Sequence, residues 1–362
     1  MKFENNQKKE GIILMISSFN QLYNFLSFFH QKKLINNKKI YLTIFSDQIP
    51  EKLISQMRQY IAKFADVEIV DMRRKSIKFK TKFFKYFSYY FFVLKKLFQI
   101  KKSLTIPFIL ISGRMQIPVL CFMSFLSSSK LFFMEDGIGE YVPWDKRQKP
   151  FFLFFYLWNK FLKMNKSRIR VLQLAKSRKD YFKNLKQPFL KKEYYYDNRE
   201  LYKNFIKNKL EKQLSFKPKC IIIGTNPVLN NSISETRNFD YLKNLYIETL
   251  SEVNKRYSYS PDQILFFPHP RTKLLYHDNF VKSLSNYSNI HSISSIIVEH
   301  YLNQENLEIV IGSQSSALYY AKTIFNKEHV YYLDSEMELQ KDGQYKNLLN
   351  TFEAAGIKKF FN

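Results

Sequence analysis

The sequence predicts an α/β protein made of two doubly wound, Rossmann-like domains facing a cleft. Three observations predict it. Apolar runs of strand length alternate with segments of helical period through the first half of the chain, the pattern of βαβ units and a parallel sheet. A second series of the same kind resumes after a charged, tyrosine-rich segment. The 362 residues suffice for two domains of ordinary size, each with its own core.

Taken in order, "GIILMIS" reads as a buried strand and "NQLYNFLSFFHQKK", from about Asn20, as a helix with an apolar period. "KIYLTIFS" is a second strand, "EKLISQMRQYIAKF" a helix and "DVEIVDM" a third strand. A basic aromatic stretch follows, then the strand "TIPFILIS", a helix from Met115, and the strand "KLFFMEDG". The first domain is expected over residues 1–190, a linker over 191–217, and the second domain over 218–362. Within the second domain "CIIIGTNP" is a strand running into a turn, and a helix follows through "YLKNLYIETLSEVNKRY". Next come "QILFFPHPR", the short "IHSIS", a helix around "SIIVEHYLNQ", "LEIVIGSQSSALYYAKTIF" as strand and helix, and the strand "HVYYLD". No repeat at a fixed period is present.

Composition excludes several classes. The 2 cysteines, Cys121 and Cys220, both lie in apolar stretches, which is neither a disulfide framework nor a zinc site and suits a reducing compartment. "MKFENNQKKEG" is polar and the "IILMIS" after it is too short for a signal-peptide core. No stretch reaches the roughly 18 apolar residues of a membrane span; the nearest are broken by Arg114 and by Asn159 with Lys160. Lys and Arg number 58 against 31 Asp and Glu, a net charge of +27, which attracts polyanions. No RNP-like, helix-turn-helix or zinc-finger pattern accompanies that charge, so nucleic acid is not the expected partner. The lysine–aromatic mixture "KFKTKFFKYFSYYFFVLKK" suits an anionic membrane surface, with rings at the interface and lysines on phosphates. An ordinary solvated surface accounts for the same residues, and the two readings stay open.

Four strand ends carry the polar chemistry. One gives Glu135-Asp136-Gly137, one Gly224-Thr225-Asn226-Pro227, one Pro268-His269-Pro270-Arg271, and one Gly312-Ser313-Gln314-Ser315-Ser316. In open α/β sheets ligands sit at the carboxyl ends of the strands. Ser315 and Ser316 open a helix, where backbone N–H groups and hydroxyls suit a phosphate, although either serine could simply cap that helix. Two prolines fix the backbone around His269. Singly each motif reads as a turn or a cap; together they describe one joint site.

The order acidic-acidic-Gly, then His-Pro, then Ser-Ser resembles the motif set of bacterial sialyltransferases. It looks closest to the lipooligosaccharide sialyltransferases of glycosyltransferase family 52 and their capsular polysialyltransferase relatives. "SFNQLYN" from Ser18, containing Gln21 and Asn24, is similar to the Ser-x-x-Gln-Leu-x-Asn start of that group, and "IIIGTNP" to the first strand-turn of its nucleotide-binding domain. The resemblance implies a GT-B fold, with an acceptor-side N-terminal domain and a C-terminal domain that binds the CMP donor. It implies inverting transfer of sialic acid, or a related nonulosonic acid such as pseudaminic or legionaminic acid, from its CMP-activated form to a glycan hydroxyl. The acceptor would be a lipid-linked or capsular glycan, and the enzyme would work in the cytoplasm, peripherally at the inner face of a bacterial inner membrane.

The residue types fit that chemistry. An attacking hydroxyl needs a carboxylate base, for which Glu135 is the first candidate and Asp136 the second. The departing phosphate gains charge that fixed donors must neutralise, a task for His269, Ser315 and Ser316. Gly224, Thr225 and Asn226 would lie near the nucleotide, and Gln21, Gly137 and Pro270 complete the expected substrate contacts. No Asp-x-Asp is present to hold a divalent cation, so neither a metal nor any cofactor beyond the CMP-activated donor is expected. Two rivals remain: a polyanion-binding protein without catalysis, and a hydrolase using Glu135 and His269.

Overall fold

The computed structural model describes residues 9–16, 19–35, 38–44, 51–73, six positions between 92 and 100, 104–112, 130–134, 169–173, 195–210, 216–225, 235–269, 278, 282–290, 297–313, 315–334 and 343–361. They form two compact units, and the chain makes its last passage from the first to the second between Tyr202 and Lys203.

The first unit holds seven strands: β1 (Lys9–Met15), β2 (Lys39–Ile44), β3 (Asp66–Asp71), β4 (Leu104–Ser112), β5 (Lys130–Met134), β6 (Ile169–Gln173) and β7 (Tyr195–Asp197). All pair in parallel, in the order β3-β2-β1-β4-β5-β6-β7. The second unit holds β8 (Cys220–Ile223), β9 (Ile264–Phe267), β10 (Asn289–Ile290), β11 (Ile309–Gly312), β12 (His329–Tyr332) and β13 (Lys358–Lys359). These too are parallel, in the order β10-β9-β8-β11-β12-β13. Each sheet starts at an inner strand, winds out to one edge, then returns to build the other half. Its direction therefore reverses between β1 and β4 in one sheet and between β8 and β11 in the other.

Burial explains which segments make the inner strands. Ile12 to Ile16, Ile40 to Ile44 and all of β8, β9 and β11 are buried, as parallel strands covered on both faces must be. Edge strand β3 is less covered: Asp66 and Glu68 are exposed, Val67 and Ile69 half-buried, and Val70 is its one buried residue. The Phe19–Gln31 helix buries nearly its whole circumference, which marks a core helix rather than a half-solvated one. In the second unit Leu242, Tyr246, Leu250 and Val253 of the Glu235–Tyr257 helix pack on Ile222, Ile264, Phe266 and Ile311. Cys220 lies inside that core, and burial pushes its thiol well above the usual range, so it is no nucleophile at neutral pH.

Three features go beyond the sequence reading. The stretch 191–217, expected to link the domains, contains β7 and the Arg199–Leu210 helix. Strands β6 and β13 and the Gly343–Ala354 helix were not anticipated. Strand β13, two lysines at the sheet edge, and β7, a short tyrosine-rich edge strand, carry no apolar run to betray them. Arg73, two residues past β3, is buried, hydrogen-bonded through Nε to Asp71 at 2.9 and 3.0 Å and ion-paired through Nη1 with Glu51 at 2.7 Å. The stretch "KFKTKFFKYFSYYFFVLKK" up to Phe91 and the helix expected from Met115 lie outside the described residues.

A buried polar seam fastens the Phe19–Gln31 helix to the turn after β7. Asn198 Nδ2 lies 2.7 Å from Asn24 Oδ1, 3.0 Å from the Asn24 carbonyl and 2.8 Å from Ser27 Oγ. Close by, the Tyr202 hydroxyl donates to Asn20 Oδ1 at 2.5 Å. A buried acceptor stripped of its donor costs about 1–3 kcal/mol. Asn198→Ala is therefore expected to lower unfolding stability by about 2 kcal/mol, read as a drop in the urea midpoint at unchanged slope.

Candidate active site

The second sheet sets the expected nucleotide-binding motifs side by side. Strands β9, β8 and β11 are immediate neighbours, with Ile223 in register with Phe267 on one side and Gly312 on the other. Their carboxyl ends thus form one edge, at the reversal between β8 and β11, which is where open α/β sheets bind ligands. His269 stands two residues beyond β9 and is half-buried behind buried Pro268. Gly224 and Thr225 follow β8; Ser313, Ser315 and Ser316 follow β11.

Each tip is held by identifiable contacts. The Gly224 N–H donates to the Phe267 carbonyl at 2.9 Å, adding one rung between β8 and β9. A Cβ on Gly224 would stand 3.0 Å from Phe266 Cζ and 3.4 Å from Pro268 Cα. One on Gly312 would stand 3.1 Å from Ile223 Cβ and 3.2 Å from its carbonyl oxygen. Both glycines are required by strand packing, a reason separate from the ligand approach expected of Gly224. Thr225 is buried, and its N–H donates to the Tyr246 hydroxyl at 2.8 Å.

Ser315 is the N-cap of the Ser316–Thr323 helix, its Oγ accepting from the Ala317 N–H at 3.2 Å. A hydroxyl that accepts in this way still has its own proton to donate. Ser313 is buried, and among the described residues its Oγ has no hydrogen-bond partner.

Sequence reasoning missed Glu299, which opens the short Glu299–Leu302 helix. Two residues on, the Tyr301 ring packs edge-on against Phe267, the last residue of β9, at 6.2 Å, so this helix adjoins the His269 tip. Glu299 is buried, and burial pushes its carboxyl up to about 7. A lone glutamate on an apolar stretch gave no signal, because its environment is created by the tertiary packing.

Of the remaining expected site residues, Gln21 belongs to the first unit, buried in the Phe19–Gln31 helix. Glu135, Asp136 and Gly137, which follow Met134 of β5 in sequence, lie outside the described residues, as do Asn226 and Pro270. Among the described residues no group of three or more His, Cys, Asp or Glu side chains could hold a metal ion.

Two parallel α/β units, the second with its polar tips gathered at a sheet reversal, are those of the GT-B fold. A family model described as alpha-2,8-polysialyltransferase (POLYST) matches residues 12–334, from β1 through the residues just past β12. The chain belongs to that family and is a sialyltransferase. Among solved structures it is similar to the 2,6-sialyltransferase of Photobacterium sp. JT-ISH-224, crystallised with the donor product CMP and the acceptor substrate lactose. The two are 11% identical with a TM-score of 0.53, over 96% of this chain and 76% of that one. It is also similar to the GT-B domain of a Photobacterium damselae sialyltransferase, at 13% identity and a TM-score of 0.53 over 96% and 98% of the two chains. No curated protein matches the chain in sequence.

The Glu299 environment predicts a pH effect. The folded state holds this proton more tightly than the unfolded chain, whose carboxyl has its ordinary value of 4.5. The stabilisation is complete below that value and is lost as pH rises through about 7. Wild type should therefore lose about 3 kcal/mol relative to Glu299→Gln between pH 4 and 8, measured as the difference between their urea-unfolding free energies across that range.

Proposed function

We propose that the protein is an inverting, metal-independent transferase. It moves sialic acid, or a related nonulosonic acid, from its CMP-activated donor to a glycan hydroxyl of lipooligosaccharide or capsule. The observation that carries this reading is the convergence of His269, Gly224-Thr225 and Ser315-Ser316 at adjacent tips of one sheet, inside the span matched by the polysialyltransferase family. The CMP bound to the Photobacterium sp. enzyme supports the choice of nucleotide.

In this mechanism Glu135, or Asp136 beside it, takes the proton of the acceptor hydroxyl as its oxygen attacks the anomeric carbon. The bond from that carbon to the CMP phosphate oxygen breaks in the same step, which inverts the centre. His269 donates to the departing phosphate. Ser315 and Ser316 add hydroxyl protons and the N-terminal N–H groups of their helix, which suit developing negative charge. Thr225 and Asn226 flank the nucleotide, and Gln21, Gly137 and Pro270 serve substrate contacts. The absence of Asp-x-Asp from the sequence supports a reaction without metal or further cofactor.

The family match favours one version of the acceptor: a growing capsular chain, to which residues are added repeatedly. The donor is made in the cytoplasm, so enzyme and donor meet there, and the acceptor brings the enzyme to the inner face of the membrane. No helix among the described residues is long and apolar enough to cross it.

Incubation with CMP-sialic acid and a sialylated oligosaccharide tests the reaction. Transfer and CMP release are expected in excess EDTA, and Glu135→Gln should lower turnover by about 10²–10⁴-fold while CMP still binds. Inactivation by EDTA with recovery on adding Mg²⁺ would remove the metal-free mechanism. Normal turnover in both Glu135→Gln and Asp136→Asn would remove the carboxylate base.

Membrane attachment is tested by flotation with phosphatidylglycerol vesicles. Binding should fall as salt rises and weaken when Lys78, Lys80, Lys82 and Lys85 become Glu, since each basic residue near anionic lipid contributes about 1 kcal/mol. Protein left in the soluble fraction at low salt would overturn the membrane-surface reading.

A further inference from the structure

Tyr246 lies midway along the Glu235–Tyr257 helix, its side chain fully buried. Its ring packs edge-on against Phe266 at 5.0 Å, and Phe266 is the residue whose Cζ fills the space beside Gly224. A phenylalanine would fill the same volume without bringing a hydroxyl into the core. A buried hydroxyl is unfavourable unless it is hydrogen-bonded, and here it receives the Thr225 N–H at 2.8 Å. That N–H stands one residue past the last rung between β8 and β9, where the backbone leaves the sheet for the nucleotide side.

We infer that Tyr246 is a positioning residue for the donor nucleotide, fixing through its hydroxyl the direction in which the chain leaves β8. The same ring bears on Phe266, three residues before His269, so one side chain sets the starting points of two site segments. The Thr225 N–H is consumed by this bond, which leaves the Thr225 side chain and the residues after it to meet the ligand. This inference rests on the CMP-donor reading above.

The test compares Tyr246→Phe with Tyr259→Phe. Tyr259 also bonds a buried-side hydroxyl, to Glu308, but stands before β9, at the opposite end of the strands. CMP affinity is measured by calorimetry, donor KM and kcat by product formation, and amide exchange of the peptide containing Thr225 by mass spectrometry. For Tyr246→Phe the expected result is CMP binding about five- to tenfold weaker, the worth of one hydrogen bond. The donor KM should rise more than kcat falls, and exchange should quicken at Thr225. Tyr259→Phe should leave CMP affinity unchanged. Wild-type CMP affinity in Tyr246→Phe, or an equal loss in Tyr259→Phe, would overturn the positioning role while leaving the donor reading intact. Failure of the wild-type protein to bind CMP would overturn the donor reading and this inference together.

Discussion

Everything in this molecule follows from parallel pairing. A parallel strand cannot be reached by a tight turn; each needs a crossover that returns the chain to the same starting edge. Two consequences follow at once. The crossovers cover both faces of the sheet, so inner strands must be apolar throughout, as β8, β9 and β11 are. All carboxyl ends also fall on one side, so residues distant in sequence meet without any dedicated contact. Gly224 and Ser316 stand 92 positions apart in number (316 − 224), yet they follow strands that are direct neighbours.

This constraint also decides what could be read from the sequence. Inner strands were legible because burial on two faces leaves an unbroken apolar run, and the runs in β1, β2, β8, β9 and β11 have no other natural reading. Their parallel pairing followed from alternation with helices, while their order in the sheets did not. Of the edge strands, β3 was legible in "DVEIVDM", but β7 and β13 were not. Lys358 and Lys359 of β13 are exposed, and β7 is a three-residue piece of a charged, tyrosine-rich segment. Their pairing is supplied by a neighbour already in place, and local composition carries little trace of it. Among the residues proposed for the site, the placement of His269 and Ser315 at strand ends was legible from the apolar runs before them. Glu299 and Tyr246 were not, since what distinguishes each is a partner or an environment brought from elsewhere in the chain.

Motif residues need not touch substrate. Asn24 belongs to the Ser-x-x-Gln-Leu-x-Asn signature, yet its carbonyl and side-chain oxygens face Asn198, in a segment that sequence reading treated as linker. Both of its oxygens accept from Asn198 Nδ2, so this asparagine is tied to a partner 174 residues away. Arg73 makes the same point for charge. One of the basic residues behind the net charge, it is buried and held between Asp71 and Glu51, so its charge is already paired inside the protein.

The packing at the strand tips limits where donor specificity can reside. A Cβ would be crowded at Gly224 by the Phe266 ring and at Gly312 by Ile223, so a side chain there would require those neighbours to shift. Thr225 is fastened through its N–H to Tyr246, and Ser315 spends its oxygen on capping a helix. The edge of the sheet is therefore a closely packed frame, whose polar side chains are the serines after β11, His269 and Thr225. On the CMP-donor reading proposed above, such a frame suits the nucleotide and its phosphate, the part shared by all such donors. On the same reading, features that distinguish one transferred sugar from another would be recognised by residues outside that frame.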